Sequence, residues 1–334
     1  MTMEPAPIAT AAEGVRVQGL RRFFGDVHAV ADVTFHARPG EVTALVGPNG
    51  SGKTTLLLML ASLLAPDAGT MSVGGIDPMA DPFGVRRILG WMPDTLGAWP
   101  SLTARETLVT TARMYRMPRA EASRRADELL SLVHLDALAD KPARVFSRGQ
   151  KQRLGLARAL VHDPRVLLLD EPASGLDPQS RIDLRTLLRR LAAEGRTILV
   201  SSHDLPELDE VSDTAVFLRD GRTVADHAEF SPPRSREWRI RALDEPERPG
   251  LDAATTVLVD LGTSIDGIRR GRDELVTEFA SDRAAAEALA RLTAAGVLVT
   301  EFAPVTGRLE QAFLDLTAPD GPTDPHPAPE APHE

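Results

Sequence analysis

The stretch GPNGSGKTT, Gly47 to Thr55, constrains the fold more than any other, because a loop of this kind works only between a strand and a helix. The apolar run EVTALV precedes it and TTLLLMLASLLA follows it, so both neighbours are present. Gly47, Gly50 and Gly52 let successive backbone N–H groups turn inward around an anion, and the helix that starts there adds its positive end. Pro48, Asn49 and Ser51 complete the turn. Lys53 is placed to reach phosphate oxygens, and Thr54, followed by Thr55, can offer a hydroxyl to Mg²⁺. A glycine-rich turn with an incidental lysine is the bland alternative, and the flanking strand and helix weigh against it.

A loop between strand and helix calls for more of the same. RVLLLD and TILVSS are further short apolar runs, each separated from the next by helical stretches, and buried strands alternating with helices form an α/β fold with a mostly parallel sheet. RVLLLDEP ends in two carboxylates. Alternation along a strand sends Asp170 and Glu171 to different sides, so they can do different work: Asp170 in a Mg²⁺ shell, Glu171 polarising an attacking water.

From Ala104 to Ala139 the apolar residues fall at three- and four-residue spacing with no strand between, a helical insertion spanning about residues 95–160. The adjacent Pro232 and Pro233 suggest a linker, so the sheet domain is expected over 14–230 and a small α+β accessory domain over 231–316. In the second unit EWRIRAL, ELVTEFA and VLVTEFA read as strands, and SDRAAAEALARLTAAG and RLEQAFLDL as helices. The last of these puts Leu309, Phe313 and Leu316 on one face. Residues 1–13 and the Pro-rich, acidic 317–334 lack the apolar groups that offset ordering entropy and are expected to be disordered tails.

Composition removes several function classes. A net charge of −10 argues against sequence-independent nucleic-acid binding, and the lack of any cysteine excludes disulfides, thiol catalysis and thiolate metal sites. The N-terminus does not resemble a secretory signal, and the longest apolar run, Leu56 to Ala65, is far shorter than the roughly 20 residues that cross a bilayer. A soluble cytoplasmic chain is expected.

The segment RVFSRGQKQRLGLARAL presents a second anion-binding turn, SRGQ, at a helix start. With the phosphate loop, FSRGQKQRLGLARAL, LLLDEP, SGLDP and SSHD in that order over about residues 14–225, the chain resembles the ATP-binding subunits of ABC transporters. The resemblance implies ATP and Mg²⁺ as ligands and a head-to-tail dimer of two copies. Ser147, Arg148, Gly149 and Gln150 of each copy would then close over the nucleotide held by the phosphate loop of the other. It further implies that Phe24 stacks on adenine, that Asp177 lies across the dimer interface, and that His203 bonds the γ-phosphate and orients the water. Three departures stand out. Arg148 takes the place of a glycine in the signature's usual Gly-Gly pair, Phe24 replaces the commoner Tyr, and Asp94 replaces a Gln that ligates Mg²⁺ or water, adding a negative charge beside phosphate.

A single cassette followed by a small α+β unit ending in RLEQAFLDLT resembles the ABC-2 exporters, including their drug-resistance branch. That implies separately encoded membrane permease subunits, export of a drug, lipid or similar substrate, and a place at the cytoplasmic face of the membrane. The permease would dock between sheet core and helical insertion, near Trp99 and Leu102, for both of which core packing is the competing and commoner fate of large apolar residues. A chromosome-maintenance ATPase would carry long heptads between phosphate loop and signature, and none are present. A ribosome-acting relative would have two cassettes and a basic linker. A regulatory ATPase coupled to a membrane sensor stays open as the alternative, and the C-terminal unit fits regulation, dimerisation or bracing equally.

Overall fold

The computed structural model describes residues 13–94, 99–225, 236–243 and 250–317. Apart from Glu13 and Thr317, the expected tails lie outside these residues, as does the Pro232–Pro233 linker. The chain divides into two compact units, 1–229 and 230–334.

Unit one is built on a nine-stranded sheet. Its strands are β1 (Val15–Phe24), β2 (Val27–Ala37), β3 (Val42–Val46), β4 (Ala68–Val73), β5 (Leu89–Met92), β6 (Val166–Asp170), β7 (Thr197–Ser201), β8 (Thr214–Arg219) and β9 (Arg222–Ala225). Their spatial order is β4-β1-β2-β9-β8-β3-β7-β6-β5. Strands β5, β6, β7, β3 and β8 run parallel, whereas β1 pairs antiparallel with β2 and β4, and β9 antiparallel with β8. VTALV, VLLLD and TILVS are buried at every residue, as strands covered on both faces must be.

Helix α1 (Lys53–Leu60) leaves the end of β3 and buries Leu56, Leu57, Met59 and Leu60 in the main core with Leu45, Leu168 and Leu199. Helix α2 (Pro82–Ile88) leads into β5. Between β5 and β6 come α3 (Ala104–Met114), α4 (Arg119–Leu132) and α5 (Arg148–Ala159), with no strand among the described residues. Helices α6 (Pro178–Ala193) and α7 (Leu205–Val211) follow β6 and β7.

The second unit runs β10 (Arg236–Ala242), α8 (Leu251–Asp260), β11 (Ile268–Arg270), β12 (Leu275–Phe279), α9 (Asp282–Ala294), β13 (Val299–Pro304) and α10 (Arg308–Thr317). Its antiparallel sheet has the order β11-β12-β10-β13, so up to β13 the unit is a βαββαβ arrangement of the ferredoxin-like kind. Ile240, Leu258, Leu275, Phe279 and Leu292 form its core. Helix α8 and strand β11 were not anticipated. TTVLV within α8 is rich in β-branched residues, and β11 is only three residues long. On α10, Leu309 is buried and Phe313 partly so, while the Leu316 side chain lies outside what is described.

Candidate functional site

Neighbouring strands β3, β7 and β6 end on the same edge of the parallel sheet, and the motifs continue from those ends. This is the edge at which open α/β sheets bind ligands.

The phosphate loop follows β3. A Cβ on Gly47 would come within 2.3 Å of the Leu218 carbonyl oxygen and 2.5 Å of Ser51 Oγ. Gly52, at φ +98°, would meet the Ala29 carbonyl oxygen at 2.3 Å. Only glycine fits at either position. Lys53 Nζ donates to the carbonyl oxygens of Gly47 (2.7 Å) and Pro48 (3.0 Å), folding the lysine back along the loop. Burial pulls the Lys53 ammonium below its usual range, and the carboxylates of Glu171 and Asp170 pull it partly back. A buried cation held by carbonyls, with the Ser51 hydroxyl buried beside it and unpartnered, suits the oxygens of a polyphosphate.

Asp170, the last residue of β6, is buried. It accepts from Thr54 Oγ1 at 3.0 Å and from Ser201 Oγ at 2.5 Å, Ser201 being its register partner on β7. Among the described residues no group of three or more His, Asp or Glu side chains converges on a metal position. The Thr54 hydroxyl and Asp170 carboxylate therefore offer part of a hard-cation shell, the arrangement Mg²⁺ takes when phosphate and water complete its coordination.

Strand alternation does not continue into Glu171. Its φ is +52°, so the chain has already left β6, and this turn, not the pleat, sets its direction. The Glu171 N–H donates to the Ser201 carbonyl oxygen at 3.1 Å, and Glu171 Oε2 accepts from His203 Nδ1 at 2.8 Å. The family resemblance implied a γ-phosphate contact for His203; in the structure its Nδ1 is engaged by Glu171.

Lys53, Thr54, Asp94, Arg148, Asp170, Glu171 and His203 line one cavity of about 600 Å³, whose wall from the β1–β2 hairpin is Val27, His28 and Ala29. Phe24, Ser147, Gly149, Gln150 and Asp177 are not among its lining residues. Phe24 is exposed, with the Arg22 guanidinium 4.8 Å above its ring. Ser147 and Gln150 cap their own helix: Ser147 Oγ accepts from the Gln150 N–H (3.2 Å) and Gln150 Oε1 from the Ser147 N–H (2.9 Å). Asp177 caps α6, accepting from the Ser180 hydroxyl (2.7 Å) and N–H (3.0 Å), which hold its carboxyl below the usual range. Arg148 Nη2 donates to Ser174 Oγ at 2.6 Å, and Gln152 Nε2 to the Glu171 carbonyl oxygen at 2.8 Å. Gln152 lies within FSRGQKQRLGLARAL and Ser174 opens SGLDP, but the motifs assign neither of them a role. Ser201 lies within SSHD, and only its pairing with β6 brings its hydroxyl to Asp170.

A second depression, of about 880 Å³, lies on the same unit between α2 and the α3 end. Phe83, Trp99, Met114 and Tyr115 supply apolar surface, and Arg86, Arg87, Arg116 and Arg158 are its charged lining. Phe83 and Met114 are 74% and 64% exposed, large fractions for apolar side chains. Leu102 is half-buried and does not line it.

An anion-binding loop facing a carboxylate–imidazole pair across one cavity defines a P-loop nucleotide hydrolase. Comparison with known proteins narrows the class. Residues 30–174 match the family model described as ABC transporter. The daunorubicin resistance ATP-binding protein DrrA3 of Streptomyces coeruleorubidus is 32% identical over 309 residues, 92% of this chain and 96% of that one. The Nod factor export ATP-binding protein I of Ralstonia nicotianae is 37% identical over 221 residues, 66% of this chain and 69% of that one. Among solved structures, an ATP-binding subunit of an ABC transporter aligns at TM-score 0.59 and 32% identity over 63% of this chain and 88% of its own. The dimeric bacterial ABC transporter cassette MJ0796 aligns at TM-score 0.59 and 27% identity, covering 63% and 96%. The chain belongs to the ABC transporter family and is one of its ATP-binding, ATP-hydrolysing subunits.

Proposed function

We propose that this chain powers export of a drug, lipid or similar substrate through separately encoded membrane subunits, hydrolysing ATP at the cavity where β3, β6 and β7 end. The observation that carries the reading is the convergence of Lys53, Thr54, Asp170, Glu171 and His203 on that cavity. Lys53 would exchange its two carbonyl contacts for phosphate oxygens. Glu171 would accept a proton from the attacking water, its carboxylate aimed by the imidazole of His203. With Nδ1–H donated to Glu171, the His203 ring keeps Nε2 for the substrate side. Mg²⁺ held by Thr54 and Asp170, with Asp94 in the same wall, would neutralise charge developing on the phosphates. Phe24, one residue before the turn of the β1–β2 hairpin, would lie against adenine.

Two copies would meet head to tail, the start of α5 in one closing over the nucleotide of the other through Ser147, Gly149 and Gln150, with Asp177 between them. The dimeric cassette MJ0796 is a precedent in the fold. No described helix is long and apolar enough to cross a membrane; in this reading the permease is on other chains and the cassette sits peripherally at the cytoplasmic face. The apolar, arginine-lined depression suits an amphipathic cytoplasmic segment of that permease carrying carboxylates. The alignment with DrrA3 runs through most of the C-terminal unit as well, which favours drug-type export. The test is reconstitution with the membrane protein that co-purifies in detergent. ATP-dependent accumulation of a substrate in inverted vesicles is expected, and a co-purifying sensor with no transport at any ATP concentration would favour the regulatory alternative.

A further inference from the structure

Helix α5 grips the loop that follows β6. Gln152, 4% exposed, donates Nε2 to the carbonyl oxygen of Glu171 at 2.8 Å. Arg148, four residues earlier and so on the same face of α5, donates Nη2 to Ser174 Oγ at 2.6 Å. Between these two bonds the backbones nearly touch, for a Cβ on Gly149 would lie 2.8 Å from the Gly175 carbonyl oxygen. A Cβ on Gly175 would in turn lie 2.8 Å from Arg148 Cδ. The loop held this way begins at Glu171, whose φ of +52° is a conformation that a residue with a side chain keeps only when its surroundings hold it. Those surroundings are the Ser201 carbonyl on its N–H and Gln152 on its carbonyl.

We propose that Arg148 and Gln152 are positioning residues: a two-point clamp through which α5 fixes the loop from Glu171 to Gly175 and thereby the aim of the Glu171 carboxylate. The inference rests on the reading of Glu171 as the water-polarising group. It gives the departure at Arg148 a purpose, because glycine at that position has no side chain to reach Ser174. It also links two events, since α5 starts at Ser147. A shift of this helix as Ser147 engages the second copy's nucleotide is passed to the glutamate that serves its own.

The test is steady-state ATPase kinetics of the full-length chain carrying Arg148→Ala, Arg148→Lys, Gln152→Ala or Gln152→Glu, with Glu171→Gln in parallel. Misaiming a catalytic group by an ångström or so lowers kcat about 10- to 100-fold, and both alanine variants should fall in that range while KM for ATP changes less than about twofold. Arg148→Lys, which keeps a donor for Ser174, should recover most of the loss. Gln152→Glu should not, because a carboxylate cannot donate to a carbonyl. Arg148 is exposed, so Arg148→Ala should keep the parent melting temperature even if the buried Gln152→Ala does not. If both alanine variants keep kcat within about twofold while Glu171→Gln stops turnover, the clamp is refuted and the reading of Glu171 stands. A raised KM with unchanged kcat in Arg148→Ala also overturns the clamp, making Arg148 a nucleotide contact. Normal turnover by Glu171→Gln overturns both.

Discussion

Acidification should destabilise this protein through one histidine. His162 follows α5, its ring stacked on Tyr115 with centroids 3.8 Å apart and planes at 4°. Its Nε2–H donates to the Leu89 carbonyl oxygen at 3.1 Å, while Nδ1 is buried and has no partner. Protonating Nδ1 would bury an unpaired N–H on a cation, and burial lowers the imidazole from 6.5 to about 4. The unfolded chain therefore binds the proton first. Between pH 6.5 and about 4 it holds more protons than the folded chain, so stability falls as pH falls through that window and levels off below it. At about 1.4 kcal/mol per pH unit the loss is on the order of 3 kcal/mol. Urea unfolding of the parent and of His162→Gln, which cannot titrate but keeps a donor for Leu89, separates this effect from the carboxylates common to both. The difference in unfolding free energy between them should shift by about 3 kcal/mol against the parent from pH 7 to pH 4. A difference independent of pH would refute the buried neutral imidazole.

Three further outcomes follow from the site. Glu171→Gln keeps the shape and the backbone bonds of the residue but not its basicity, so kcat should fall about 10²- to 10⁴-fold while ATP still binds; nucleotide-loaded dimer should accumulate on size exclusion. Lys53→Ala removes a cation that makes two charge-assisted bonds, and a loss of about 10²-fold or more in ATP affinity is expected by fluorescent-nucleotide titration. Unchanged affinity would count against the phosphate loop as read. Reversing charge in the depression with Arg86→Glu plus Arg116→Glu should abolish co-purification of the membrane partner and leave basal ATPase within about twofold, since neither residue lines the nucleotide cavity.

The parallel core was legible because its chemistry is local: a glycine loop needs a strand before it and a helix after it, and VLLLD and TILVS admit no solvent-facing register. The antiparallel flank of β1, β2 and β4 gave no comparable signal: the β1–β2 hairpin pairs with register shifts along its length, and β4 joins it from beyond β3 and α1 in the chain. At Glu171 the backbone is no longer that of a strand. Alternation holds only while the chain stays in the strand, and a left-handed φ one residue past β6 is not written in any local composition. The contacts of Gln152 and Ser174 were invisible for a related reason, being set by how closely Gly149 and Gly175 let α5 approach the loop. In the second unit the β-branched run of α8 reads as strand until its core packing decides otherwise.

The decisive measurement is ATPase activity on mixing two inactive variants, Lys53→Ala and Ser147→Arg. If each nucleotide lies between the phosphate loop of one copy and the α5 start of the other, mixed dimers contain one intact site, and activity should appear that neither variant shows alone. A mixture as inactive as its components at every ratio, under conditions where mixed dimers are demonstrably formed, would contradict the shared site.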